Sequence, residues 1–245
     1  MTYCVGLLVD QGLVLAADTR TNAGLDNVGK FKKLYTWSKE GDRVFMLLAA
    51  GNLAVTQAVT SLLHEAMEKR AAKPSSNSLF GVKTMFQATR VVGQAIREVQ
   101  RIDGAHLGAR SEAFSASFIF AGQIGAEQPR LFQIYPEGNF IEATPDTPFF
   151  QIGEHKYGKP ILDRVSDPQM SLGEAAKMVL ISFDSTLRSN LSVGLPIDML
   201  TYEKDSLKIE HVKRIGLDDP YFHMVSSEWS KALRAAFKNI EPFDI

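Results

Sequence analysis

The sequence predicts an α+β protein of the four-layer αββα type: two antiparallel sheets stacked face to face, each covered on its outer side by a pair of helices. Three observations lead there. The apolar runs come as consecutive hairpins; two blocks of one-sided helical stripes interrupt them; and the order is strands, two helices, strands, two helices, strands. A doubly wound parallel sheet is disfavoured, because it needs strands that alternate with helices.

Residues 3–8 (YCVGLL) and 13–18 (LVLAAD) are apolar runs joined through VDQG, which has the turn chemistry of a hairpin. RTNAGLDNVGKF reads as a polar loop. KKLYTW and VFMLLAAG form a second hairpin around SKEGDR, completing a first sheet of four strands. Asn52 caps a helix with the stripe Val55, Ala58, Val59, Leu62, Leu63, Ala66 and Met67. After the breaker KPSSNS, a second stripe runs through Val82, Met85, Phe86, Thr89, Gly93, Ile96 and Val99. AFSASFIFAG, RLFQIY and NFIEAT, the last two turned at PEGN, and then FFQIG predict a second sheet. A short helix follows around Pro160–Val165, and SLGE opens the next one as a capping box. PIDMLTYEKDSLKIEHV is a last hairpin turned at KDS. A terminal helix then occupies about 217–240, with Asp219 before Pro220 at its start. The 245 residues are read as a single domain with that helix as an addition.

Composition excludes several classes. With 45% hydrophobic and 22% charged residues the chain is neither disordered nor fibrous. A formal net charge of −1 gives no electrostatic footprint for nucleic acid or for an anionic membrane. Cys4 is the one cysteine, read as inert packing, so an internal disulfide is impossible and a reducing, cytoplasmic setting is expected. Asp10 interrupts the apolar opening too early for a secretory signal, and no run approaches a membrane span.

The chemistry is expected at the start of the first strand. Removal of Met1, which a small second residue permits, leaves Thr2 with a free α-amine beside its hydroxyl, so nucleophile and base share one residue. Met-Thr is also a common start, and Thr2 alone is equally well the first residue of a strand. Asp18 ends the antiparallel partner strand and comes close to the terminus; Lys33, where the next strand begins, would lower the proton affinity of groups around Thr2. The competing reading is a structural ion pair, but buried pairs are weak stabilisers, so one inside a core asks for a function. Gly51 turns a strand into a helix and offers a backbone N–H as an oxyanion donor, worth about 3–4 kcal/mol of barrier in hydrolases of this logic. The five histidines lack HExxH or Cys/His spacing, so no metal and no cofactor is expected. Ser111, Ser115 and Ser117 lie outside any GxSxG pattern, and GQIGAEQP lacks the context of a phosphate loop.

TYCVGLLVDQGLVLAADTRTNAG, KKLY and LLAAGNLA together resemble the proteasome β-subunit and HslV family of N-terminal nucleophile hydrolases, and within it the bacterial, proteasome-type branch regarded as an ancestral β-subunit. The motif match is densest over residues 2–59, and the element order agrees to about residue 212. The resemblance implies amide hydrolysis through an acyl-enzyme. Thr2 would be the nucleophile, Asp18 the acid, Lys33 the lysine and Gly51 the oxyanion glycine, with Lys32 the competitor for Lys33. Family members carry an Asp and a Ser in a glycine-rich segment after the fourth helix. Here RSNLSVGLP offers Ser189 and Ser192, with Ser189 in the place of the Asp. A second supporting serine is replaced at IGEH by Glu154, for which an exposed loop position is preferred to a role in the site.

Three functions follow. The first is a self-compartmentalising threonine peptidase acting on peptides or unfolded proteins, working as a homo-oligomeric ring or open ring with an unidentified unfoldase. The second is a catalytically silent assembly on the same fold, and the third an amidase for small amides. In the terminal helix, Phe222, Val225, Trp229, Leu233 and Phe237 recur at helical spacing and would cover the core or face a neighbouring subunit.

Overall fold

The computed structural model describes residues 2–22, 28–68, 78–104 and 115–244. Met1, the middle of the segment read as a loop at 20–31, most of the breaker at 73–78, His106 and Ser111 lie outside the described residues.

Among the described residues, two five-stranded antiparallel sheets carry the architecture. The first has the order β10 (Phe149–Gly153), β1 (Tyr3–Val9), β2 (Gly12–Asp18), β11 (Ile197–Glu203) and β12 (His211–Ile215). The second runs β5 (Leu34–Lys39), β6 (Arg43–Gly51), β7 (Ala116–Ile124), β8 (Arg130–Ile134) and β9 (Phe140–Glu142). The central strands are continuously apolar because both of their faces are covered. In β6, Phe45, Leu47 and Ala49 pack outward under α1 (Leu53–Glu68) and α2 (Met85–Asp103), while Val44, Met46, Leu48 and Ala50 face the other sheet. In β2, Val14 and Ala16 pack under α4 (Leu172–Ser189) and Leu13, Leu15 and Ala17 face inward. Strand period 2 therefore separates three apolar layers, two under helices and one between sheets. The αββα sandwich predicted from the sequence is the fold observed.

Two expectations need correction. The first four long strands do not make one sheet: β5 and β6 join β7–β9, whereas β1 and β2 pair with β10 and β11. Local turn chemistry predicts the hairpins, but which sheet a hairpin joins is decided by long-range burial, which short-range signals do not contain. The segment read as a loop holds a small hairpin of β3 (Arg20–Asn22) and β4 (Val28–Lys30).

The helix starts follow their caps. Asn52 Oδ1 accepts the N–H groups of Ala54 and Val55. Ser171 and Glu174 form the expected capping box. Asp219 accepts the Phe222 N–H at the start of α5 (Pro220–Lys238). The short α3 (Lys159–Val165) precedes α4. Along α5 only Phe222 and Val225 are buried, and Leu233 and Phe237 are exposed.

Candidate active site

The β1–β2 hairpin pairs Cys4 with Ala17, so its continuation sets Tyr3 opposite Asp18 and leaves Thr2 at the open end. The Tyr3 N–H donates to Asp18 Oδ1 at 3.0 Å. The Gly194 N–H donates to Oδ2 at 3.3 Å. Lys33 Nζ lies 2.7 Å from Oδ1 and also donates to the Arg20 carbonyl at 2.5 Å. The Asp18 side chain is fully buried and that of Lys33 is 6% exposed, so the pair sits inside the protein. Burial pushes the Asp18 carboxyl above its ordinary range; the Lys33 ammonium and the two amide donors oppose that push. Lys32 is exposed at the rim of the same cleft, with its ammonium 5.5 Å from the Tyr35 ring centroid. Lys33, and not Lys32, bonds Asp18; both precede β5, so the choice between the two lysines is made by the path of the chain ahead of that strand and not by strand alternation.

Gly51 closes the opposite wall. Its φ is +111°, and a Cβ would collide with the Ser115 carbonyl, so only glycine fits this strand-to-helix corner. The direction of its N–H follows from the ladder. Ala49 N–H donates to the Lys33 carbonyl at 3.0 Å, and antiparallel bonds alternate from side to side. Two residues on, the Gly51 N–H points the same way, past the start of β5 and toward the space above Lys33. The N-terminus of α1 opens beside it, adding partial positive charge.

These groups surround a cleft of about 270 Å³ lined by Thr2, Thr21, Lys32, Lys33, Ala49, Ala50, Gly51, Leu53, Thr56 and Gly153. Three of the predicted residues thus line one cleft, and Asp18 lies beneath it, bonded to Lys33. Ser189 and Ser192 are not brought there. Ser189 is exposed at the end of α4. Ser192 is half-buried in the following turn, where its N–H donates to Asn190 Oδ1 at 2.9 Å.

Glu154 overturns its expectation of exposure. It is 6% exposed, and its N–H donates to the Thr2 carbonyl at 2.7 Å. Oε1 accepts the N–H groups of His155 and Lys156, each at 2.9 Å, and Oε2 accepts Asn190 Nδ2 at 2.8 Å. Burial works to raise its carboxyl, but the Lys156 N–H, Asn190 amide and His155 N–H outweigh that and hold it below its ordinary value. Gly153 at φ +82° permits the approach, since a Cβ there would overlap the Thr2 carbonyl. Asn190 and Gly153 were not singled out from the sequence. The available signals were an asparagine directly after a helix end and a glycine before a carboxylate at a strand end.

Burial also pushes the Cys4 thiol up, and Sγ donates to the Ala49 carbonyl at 3.6 Å, consistent with inert packing. Behind the site the Tyr3 hydroxyl contacts Ser182 and Gln151, and burial raises it to about 12.

A threonine at a strand start, a buried Asp–Lys pair beneath it, a glycine corner beside it and two sheets between helix layers define the proteasome-type N-terminal nucleophile fold. A family model described as Proteasome subunit matches residues 2–201, and the chain belongs to that family. It is 58% identical to Anbu from Hyphomicrobium sp. strain MC1, with a TM-score of 0.92 over 99% of this chain and 100% of that one. The structure reported as a helical assembly of the Anbu complex from Pseudomonas aeruginosa is 43% identical, with a TM-score of 0.91 over 99% and 98%. Proteasome subunit beta 2 of Pyrobaculum calidifontis is 26% identical over 85% of this chain and 92% of its own length. The resemblance to the proteasome β-subunit family and to its ancestral, bacterial branch is borne out.

The Glu154 geometry predicts a pH signature. A carboxyl held below its ordinary value of 4.5 contributes stability that is complete above that value and is lost as pH falls through the depressed folded value. Glu154→Gln is therefore expected to be less stable than wild type near neutrality and to lose most of that deficit as pH falls through the depressed folded value. Urea unfolding of both proteins across pH measures it, and a deficit independent of pH contradicts it.

Proposed function

We propose that this chain is a threonine-type peptidase whose nucleophile is Thr2 after removal of Met1. The buried Asp18–Lys33 pair carries the reading: Lys33 Nζ and Asp18 Oδ1, 2.7 Å apart, lie directly under the cleft that Thr2 lines. Thr2 Oγ attacks the scissile carbonyl carbon while its proton passes to the Thr2 α-amine, with Lys33 favouring the alkoxide character of the oxygen. The Gly51 N–H receives the oxyanion. The amine then returns the proton to the departing amine, leaving an ester on Thr2 that water hydrolyses. The groups balance over one cycle, and no cofactor is required.

The expected substrates are peptides or unfolded proteins. The expected setting is a cytoplasmic homo-oligomer, with an unidentified unfoldase as the possible partner. No helix among the described residues is long and apolar enough to cross a membrane. Subunit contact is assigned to the outer half of α5 and the residues just after it, where Leu233 and Phe237 on the helix and Ile240 beyond its end are exposed. Phe237→Asp combined with Ile240→Asp is expected to shift the particle to smaller species in sedimentation without changing helix content. An unchanged sedimentation profile contradicts this.

A silent assembly is favoured by one observation: Ser189 and Ser192 do not line the cleft. A denatured model protein and a panel of short peptide and small-molecule amides separate the readings. Turnover of the polypeptides, blocked by a threonine-directed electrophile, supports the peptidase; turnover of small amides alone supports the amidase. An assembled particle without turnover supports the silent reading.

A further inference from the structure

We propose that Glu154 and Asn190 act as a positioning pair that fixes Thr2 relative to Asp18 through a closed circuit of hydrogen bonds. The inference rests on the reading of Thr2 as nucleophile. The circuit starts at the Thr2 carbonyl, which accepts the Glu154 N–H at 2.7 Å. It crosses the Glu154 carboxylate to Asn190 Nδ2 at 2.8 Å, and from Asn190 Oδ1 to the Ser192 N–H at 2.9 Å. Two residues further, the Gly194 N–H reaches Asp18 Oδ2 at 3.3 Å, and Asp18 Oδ1 returns to the Tyr3 N–H at 3.0 Å. Tyr3 adjoins Thr2, so the two turns after β10 and α4 are tied to both ends of the Thr2–Tyr3 unit.

The residue types suit this and little else. Glu154 is 6% exposed and Asn190 9%; among the described residues no cation forms an ion pair with the Glu154 carboxylate, and the Lys156 charge acts on it only from beyond that distance, as the smallest of the influences that lower it. An ionised group held inside a protein by neutral donors is costly unless every lone pair is used. Here three N–H donors converge on it: His155 and Lys156 on Oε1 and Asn190 on Oε2. A glutamine would present its own NH₂ to one of these donors. A carboxylate accepts all three, and Asn190, facing a carboxylate on one side and an N–H on the other, has both its amide atoms satisfied. Asn190 is anchored in turn, its N–H on the Thr186 carbonyl at 2.9 Å and its carbonyl accepting from Val193 at 3.2 Å. The pair thus links the end of α4 to the peptide bond that follows the proposed nucleophile. A serine hydroxyl at position 154 would be too short to span this gap between turns.

A swap of donor and acceptor tests it. Glu154→Gln sets two amide donors against each other, and Asn190→Asp sets two carboxylates against each other. In the double variant Glu154→Gln with Asn190→Asp, the glutamine oxygen still accepts from His155 and Lys156. Its NH₂ donates to the new aspartate, which still accepts from Ser192. The readouts are the limiting rate and half-saturation concentration for labelling of Thr2 by a peptide epoxyketone, and hydrogen exchange of peptides carrying the Glu154 and Gly194 amides. Each single variant is expected to lower the limiting rate about tenfold with little change in half-saturation, and to speed exchange at both amides. The double variant is expected to recover to within about threefold of wild type in rate and in protection. Single variants that label and exchange like wild type, or a double variant no better than the worse single, overturn the proposal. Absence of labelling in wild type defeats the reading of Thr2 instead. The pair is then judged by exchange alone, where loss in the singles and rescue in the double sustain it and unchanged protection overturns it.

Discussion

Lys33→Met is expected to lower the free energy of unfolding by about 3–5 kcal/mol and to abolish labelling of Thr2, because it leaves the Asp18 carboxyl buried without its cation. Both partners are inside the protein, so solvent does not screen the loss. The carboxyl, already pushed up by burial, takes a proton instead of remaining an ion, and the positive charge under the cleft disappears. Adding Asp18→Asn separates the two effects. A neutral pair restores part of the stability, since the asparagine oxygen still accepts from Tyr3 although its NH₂ now faces the Gly194 N–H, while labelling stays absent. Urea unfolding and electrophile labelling on the four proteins of this cycle check both statements. Recovery of labelling in the double variant would mean that the pair is structural only.

Thr2→Ala is expected to show the opposite division, with labelling reduced by at least about 10³-fold and unfolding changed by less than about 1 kcal/mol. The stability estimate follows from what holds Thr2. Its carbonyl is gripped by the Glu154 N–H and its neighbour's N–H by the Asp18 carboxylate, contacts made through backbone atoms of the Thr2–Tyr3 unit that alanine keeps. Thr2→Ser retains hydroxyl and amine and is expected to remain reactive. Equal labelling of Thr2→Ala and wild type would place the nucleophile elsewhere.

The difference between the two variants reflects what the sequence made legible. Hairpins, caps and helical stripes are local, so β1 with β2, β5 with β6, the Asn52 and Asp219 caps and the Ser171–Glu174 box were readable from a few neighbouring residues. Lys33 was readable as a candidate, but only the path of the folded chain just ahead of β5 brings it, and not Lys32, to Asp18. Sheet membership was not readable. Burial of β5 and β6 against β7 depends on residues about seventy positions away, and no short window holds that information. The same reason hid Asn190. It gains its place from Glu154, 36 residues earlier, while the serines on either side of it drew attention through the family pattern of an Asp and a Ser after the fourth helix. Glu154 was expected outside because glutamate seldom lies buried unless its lone pairs are filled, and the donors that fill them come from two turns brought together by the fold.

The measurement that tests the central claim most directly is the intact mass of the natively purified, assembled protein before and after incubation with a peptide epoxyketone, followed by mapping of any adduct. The reagent closes a stable ring only on a residue that offers a hydroxyl and a free α-amine together. The account predicts a mass lacking Met1 and one adduct per chain, located on Thr2. A retained Met1 with no adduct would contradict it.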